Sequence, residues 1–271
     1  MSYARYVALG DSQTEGLGDG DDAGGLRGWA DRLAEDLARE EPGLLYANLA
    51  VRGRLAAQIR DEQLAPALAL RPDLATVMAG MNDLIRPRFD ATAVAGALED
   101  MFAALTGAGA TVVTVTFPDF GRLVPLARPL LPRVIDLNAR IVAAAARHGV
   151  LVVDSFAHTA ITDARLWGSD RLHANPLGHA RIAAAMAHAL GLPGSDDSWT
   201  APLPALPRPT PWRAAGAELR WVTGFAAPWI HRRLRGRSSG DGRTAKRPAL
   251  LPVIHTEQPH TRPPAHQPET G

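Results

Sequence analysis

Over roughly the first 190 residues, two textures of apolar positions alternate along the chain. Short runs rich in β-branched and aliphatic residues occur at Tyr6–Leu9, Leu44–Leu49, Leu74–Met78, Thr111–Phe117 and Val150–Val153. Between them lie longer stretches with helical spacing. Trp29, Leu33 and Leu37 fall at i, i+4 and i+8, with Asp31, Arg32, Glu35 and Asp36 mostly off that face. Val94, Leu98, Phe102 and Leu105 repeat the pattern before Gly107, and Ile135–His148 and Leu177–Leu190 are Ala-rich with strong helix formers. Strands written as near-continuous apolar runs are buried on both faces, which a parallel sheet covered by helices achieves. The pattern predicts an α/β fold over residues 1–192: a three-layer α/β/α sandwich with a central parallel five-stranded sheet.

The texture changes near Gly191. Residues 193–211 are rich in Pro, Ser and Asp, with four prolines between Pro202 and Pro209, and read as a Pro-rich linker or surface strap. Residues 212–237 form an aromatic and Arg-rich segment containing Trp212, Leu219, Trp221, Val222, Phe225, Trp229, Ile230 and Leu234, interrupted by Pro228. Two readings of it stay open: packing onto the first domain, and contact with an anionic membrane surface. Packing is favoured, because the strap can carry the segment back across the domain. The Gly/Ser/Pro/His-rich tail 238–271 is expected to be mostly without fixed structure.

Charge sharpens this division. The net charge is +1, but residues 201–271 carry eleven Arg and Lys against four Asp and Glu, so the first 200 residues are mildly acidic. Nothing in the basic Arg232–Arg247 stretch resembles a base-reading module, and no nucleic-acid partner is expected. There is no cysteine, which excludes disulfides, thiolate metal sites and a cysteine nucleophile. The opening residues, MSYARYVALGDS, lack the pattern of a secretion signal, and no segment approaches a bilayer-spanning apolar run, so a cytoplasmic location is the expectation.

Four short patterns hold candidate chemistry. Gly10-Asp11-Ser12-Gln13-Thr14-Glu15-Gly16 follows the first expected strand, where a serine on a glycine-flanked turn faces the ligand crevice of a parallel sheet. Asn48-Leu49-Ala50-Val51-Arg52-Gly53 follows the second, and Gly53 lets a backbone N–H approach a ligand. Gly80-Met81-Asn82-Asp83 follows the third and offers a side-chain amide. Taken alone, the first two fit an ordinary turn or loop better, and the third fits one equally well. In Asp170-Arg171-Leu172-His173, the carboxylate three residues before the imidazole accepts the Nδ1 proton and leaves Nε2 as a base. Asp19, Asp21 and Asp22 read as a solvated, mobile lip; the spaced ligands of a Ca²⁺ loop are missing. His148, His158, His179 and His188 have no metal-like spacing and read as structural or exposed.

Taken in order, Gly10–Gly16, Asn48–Gly53, Gly80–Asp83 and Asp170–His173 resemble the four blocks of the SGNH (GDSL-like) hydrolase family, over about residues 3–190. The leucine usual after the first-block serine is Gln13 here. The resemblance implies a serine esterase working through an acyl-enzyme. Ser12 is its nucleophile, His173 its base and Asp170 the group that orients His173. Ser12, Gly53 and Asn82 form its oxyanion hole. It implies a small-molecule ester substrate and needs no metal or cofactor. A non-catalytic binding protein on the same fold, or a docking protein acting through residues 212–237, are the alternatives.

Overall fold

Each apolar run of the sequence becomes a strand, and three of them, drawn from Tyr6–Leu9, Leu44–Leu49 and Leu74–Met78, are buried on both faces. The computed structural model describes residues 2–205, 211–226 and 239–253. In chain order the elements are β1 (Arg5–Gly10), α1 (Ser12–Glu15), β2 (Gly20–Asp21), β3 (Gly25–Leu26), α2 (Trp29–Glu40), β4 (Leu45–Asn48) and α3 (Ala56–Ala69). They continue with β5 (Leu74–Met78), α4 (Met81–Leu84), α5 (Ala91–Gly107), β6 (Thr111–Val115), α6 (Leu131–Arg147), β7 (Leu151–Val153), α7 (Pro176–Ala189), α8 (Pro211–Trp221) and β8 (Arg247–Pro252). The main sheet runs β7-β6-β5-β1-β4-β8, and its first five strands are parallel. Their connectivity is the doubly wound order 2-1-3-4-5 expected of a flavodoxin-like sandwich. The short β2–β3 hairpin stands apart.

Helices cover both faces. One core joins α3, α5 and α6 to the sheet through Ile59, Leu98, Phe102, Leu137 and Ile141. The other joins α2 and α7 through Trp29, Leu33, Leu37 and Met186. Asp90 caps α5 by accepting from Thr92 and Ala93 N–H groups, and Asn175 caps α7, whose first residue, Pro176, has no N–H to satisfy. Tyr6 and Tyr46 stack at 5.0 Å across β1 and β4, and the Tyr6 hydroxyl lies 2.9 Å from Thr76 Oγ1.

Three readings of the sequence need correction. The tail 238–271 is not wholly without structure, since β8 pairs antiparallel with β4 and adds a sixth strand to the expected five. Its prolines are tolerated because only one of its edges is paired. The Asp19–Asp22 loop is held rather than free: Asp19 binds Arg32 at 2.6 Å, and Asp22 binds both Arg52 at 2.8 Å and Arg243 at 2.6 Å. The strap is partly embedded, with Trp199 buried against the second core. Of the aromatic segment, Trp221 packs on the domain, whereas Trp212 is exposed; Trp229, Ile230 and Leu234 lie outside the described residues.

Candidate active site

Strand β1 has β4 on one side and β5 on the other, and the chain leaves toward opposite flanks of the sheet there. Such a switch point opens a crevice at the carboxyl ends of the strands. Gly10 ends β1 in a turn so tight that a Cβ there would lie 2.3 Å from Thr14 Oγ1. Its N–H and C=O are both bound by the buried side-chain amide of Gln63, at 2.9 Å each. Ser12 then opens the single turn of α1, which Gly16 ends in a left-handed conformation.

The loop Gly168–His173 approaches from the far end of the chain. Gly168 N–H donates to His173 O at 2.8 Å, Arg171 N–H donates to Gly168 O at 2.9 Å, and Arg171 takes φ +57°. This winding turns Asp170 back on its own loop. One carboxyl oxygen accepts from the Leu172 and His173 N–H groups, and the other lies 2.6 Å from His173 Nδ1. His173 Nε2 is 2.9 Å from Ser12 Oγ. Burial pushes the Asp170 carboxyl up, but the hydrogen bonds and charge of His173 and the two backbone donors bring it below the usual range. An ionised carboxylate only accepts, so Nδ1 carries the imidazole proton and the Nε2 lone pair faces the Ser12 hydroxyl.

Gly53 and Asn82 reach the same crevice by different supports. Arg52 is tied to Glu15, the last residue of α1, through its N–H at 2.7 Å and its guanidinium at 2.6 Å. The Arg52 backbone N–H, one peptide before Gly53 (φ +79°), is therefore fixed to the helix that carries Ser12. Among the described residues, neither the Ser12 nor the Gly53 N–H has a hydrogen-bond acceptor. Asn82 follows Gly80, whose φ of +121° brings α4 over the end of β5. The Asn82 amide donates to the Asp11 carboxyl at 2.9 Å and to Arg54 O at 3.1 Å. Asp11 is buried, and that burial raises its pKa to about 6.

Several supports were not singled out from the sequence. Gln13 Oε1 accepts from Ala174 N–H at 3.1 Å, which joins the Ser12 turn to the His173 loop. Gly18 permits that approach, since a Cβ there would sit 2.0 Å from Ala174 O. Position 13, where the sequence departs from the usual leucine, was the available signal for the first. Three of the other histidines are engaged elsewhere: His148 with Glu99, His158 against Trp199, and buried His179 between Trp29 N–H and Leu17 O.

A cavity of about 90 Å³ adjoins this constellation. Its wall is mostly apolar and begins at Gln13, beside Ser12, and at Leu172 and Ala174, which flank His173. It continues past Met81, Phe117 and Trp167.

The structure of the acetylxylan esterase Axe2 from Geobacillus stearothermophilus, a catalytic mutant, superposes with a TM-score of 0.59 at 18% identity, over 72% of this chain and 98% of that one. LAE5, an alpha/beta hydrolase enzyme from the metagenome of Lake Arreo in Spain, gives 0.58 at 22%, over 70% and 96%. TesA gives 0.58 at 21%, over 69% and 97%. At these identities the likeness establishes the fold. No curated protein sequence matches the chain. The model of the GDSL-like lipase/acylhydrolase family matches residues 8–181, a span that holds all four sequence blocks. The chain belongs to the GDSL-like lipase/acylhydrolase family, and it is an esterase of that kind.

Proposed function

We propose that the protein cleaves a small carboxylic ester through an acyl-enzyme on Ser12. The observation that carries this reading is the relay from Ser12 Oγ to His173 Nε2 at 2.9 Å and from His173 Nδ1 to Asp170 at 2.6 Å. Ser12 Oγ attacks the ester carbonyl while His173 Nε2 takes its proton. The imidazolium so formed is stabilised by the Asp170 carboxylate. The carbonyl oxygen becomes an oxyanion and accepts from the Ser12 and Gly53 N–H groups. Asn82 adds its amide by exchanging the 3.1 Å contact with Arg54 O for the oxyanion, while Asp11 keeps hold of the same nitrogen. His173 returns the proton to the leaving alcohol. Water then enters by the same steps in reverse and releases the acid.

The cavity beside Ser12 supports a small acyl group on the substrate. A space of 150 Å³ holds a benzene-sized group, so the 90 Å³ here takes on the order of three or four carbon atoms. A butyryl ester fills it and an acetyl ester leaves it partly empty. Two extra buried methylenes are worth about 1.6 kcal/mol, or roughly tenfold in kcat/KM. Turnover of p-nitrophenyl esters from acetate to decanoate tests both parts. The expected profile peaks near butyrate and disappears in Ser12→Ala. A flat profile refutes the acyl assignment, and undiminished turnover in Ser12→Ala refutes the nucleophile.

A further inference from the structure

The family match ends at residue 181, yet α8 lies against the loop that carries Asp170 and His173. Trp221 Nε1–H donates to Asp170 O at 3.0 Å. The Arg171 guanidinium sits 5.1 Å from the centroid of the Trp221 ring, and Arg171 Nη1 binds Glu218 Oε1 at 2.6 Å. The indole also packs with the buried cluster Leu123, Val124, Leu166 and Trp167. The strap is tied to the same region, because Arg165 Nη1–H donates to Pro204 O at 2.8 Å. One helix therefore holds the backbone of Asp170 and the side chain of its neighbour.

That neighbour is where the loop needs holding. Arg171 takes φ +57°, a left-handed conformation that a residue with a Cβ adopts at a cost. The twist makes the loop double back so that the Asp170 carboxyl meets His173. A glycine would take this conformation freely. With arginine in its place, the side chain reaches out to Trp221 and Glu218, and contacts outside the loop favour the twisted form.

We propose that α8 is a positioning clamp on the catalytic loop, with Trp221 and Glu218 as positioning residues acting through Asp170 and Arg171. The proposal rests on the reading of Asp170 and His173 as orienter and base. In consequence, the hydrolase domain alone, cut before α8, is an incompletely assembled enzyme. Three groups act electrostatically on His173 or feel its charge: Asp170 on its own loop, Asp11 at the nucleophile turn and His179 on α7. Of these, α8 touches Asp170.

The test uses the full chain with Trp221→Ala, Trp221→Phe, Arg171→Gly and the double variant Trp221→Ala/Arg171→Gly, with p-nitrophenyl butyrate as substrate. Trp221→Ala should lower kcat about tenfold to a hundredfold with KM changed less than twofold, since sub-ångström misplacement acts on chemistry more than on binding. The acidic limb of its pH–rate profile should move to lower pH, because an imidazole less well paired with a carboxylate loses its proton more easily. Trp221→Phe keeps the ring beneath Arg171 and loses the N–H donor, so a smaller loss in the same direction is expected. It also serves as the reading if Trp221→Ala does not fold. Arg171→Gly in the Trp221→Ala background should recover part of the lost kcat, an outcome that a role in general stability does not produce. Unchanged kcat and pH limb in folded Trp221→Ala, or in Trp221→Phe where the alanine variant is insoluble, overturns the clamp. So does a loss of activity that Arg171→Gly fails to relieve. Ser12→Ala measured alongside separates the failures: if it retains turnover, the reading of the site is at fault rather than the clamp.

Discussion

Replacing Glu15 by alanine probes what fixes Gly53. Glu15 and Arg52 are 5% and 8% exposed, and the Glu15 carboxylate accepts from Arg52 N–H at 2.7 Å, Nε–H at 2.9 Å and Nη2–H at 2.6 Å. Without it, the guanidinium keeps one carboxylate, the half-exposed Asp22 at 2.8 Å. Removing one partner of a buried ion pair costs about 3–5 kcal/mol. A remaining surface contact offsets up to about 1 kcal/mol of that. The expected loss of unfolding free energy is therefore about 2–4 kcal/mol, read by urea denaturation at pH 7. Replacing both residues by methionine removes the stranded charge, and this variant should recover to within about 2 kcal/mol of wild type. Activity should not follow stability back, because the double variant still lacks the carboxylate that holds the Arg52 N–H, one peptide before Gly53. Its kcat should stay at least tenfold below wild type, toward the loss of about 10²–10³ seen when one oxyanion donor is removed. A Glu15→Ala protein within 1 kcal/mol of wild type and with unchanged kcat refutes the reasoning.

Two further outcomes follow from groups near the crevice. The pKa of Asp11 is raised by burial from 3.8 to about 6, so the folded protein binds its proton more readily than the unfolded chain. Its contribution to stability is present in full below pH 4 and is lost as pH rises through about 6. The difference between wild type and Asp11→Asn in urea melts should change by up to about 3 kcal/mol across that window, and a pH-independent difference contradicts the assignment. Gly18→Ala sets a Cβ 2.0 Å from Ala174 O at φ +97°. Backbone strain and overpacking together cost about 3 kcal/mol and shift the histidine loop, so melting temperature and kcat should both fall; an unperturbed variant would mean that the two loops do not touch.

The parts legible in the sequence are those whose signal is local. The apolar runs gave the five parallel strands, and the period of Trp29, Leu33 and Leu37 gave α2. Helix α3 carries alanines and leucines around most of its circumference and has Pro66 inside it, so no face stood out. Asp170 and His173 are three residues apart, and their pairing follows from spacing alone. Arg52 and Glu15 are 37 residues apart, and their bond becomes visible only when β4 is known to lie beside β1. Glu218 and Trp221 stand 47 and 51 residues from Arg171 and Asp170, in a segment whose aromatic character indicated burial without indicating where. Strand β8 escaped notice because its two prolines and exposed side chains mimic a loop, and pairing along one edge of β4 is enough to order it.

The most direct measurement of the central claim is covalent labelling of the purified full-length protein with a fluorophosphonate, followed by peptide mapping. The account predicts a single adduct on Ser12, formed in step with the loss of ester turnover and absent from Ser12→Ala. A folded wild-type protein that takes no label, or an adduct on another residue that abolishes turnover, would contradict it.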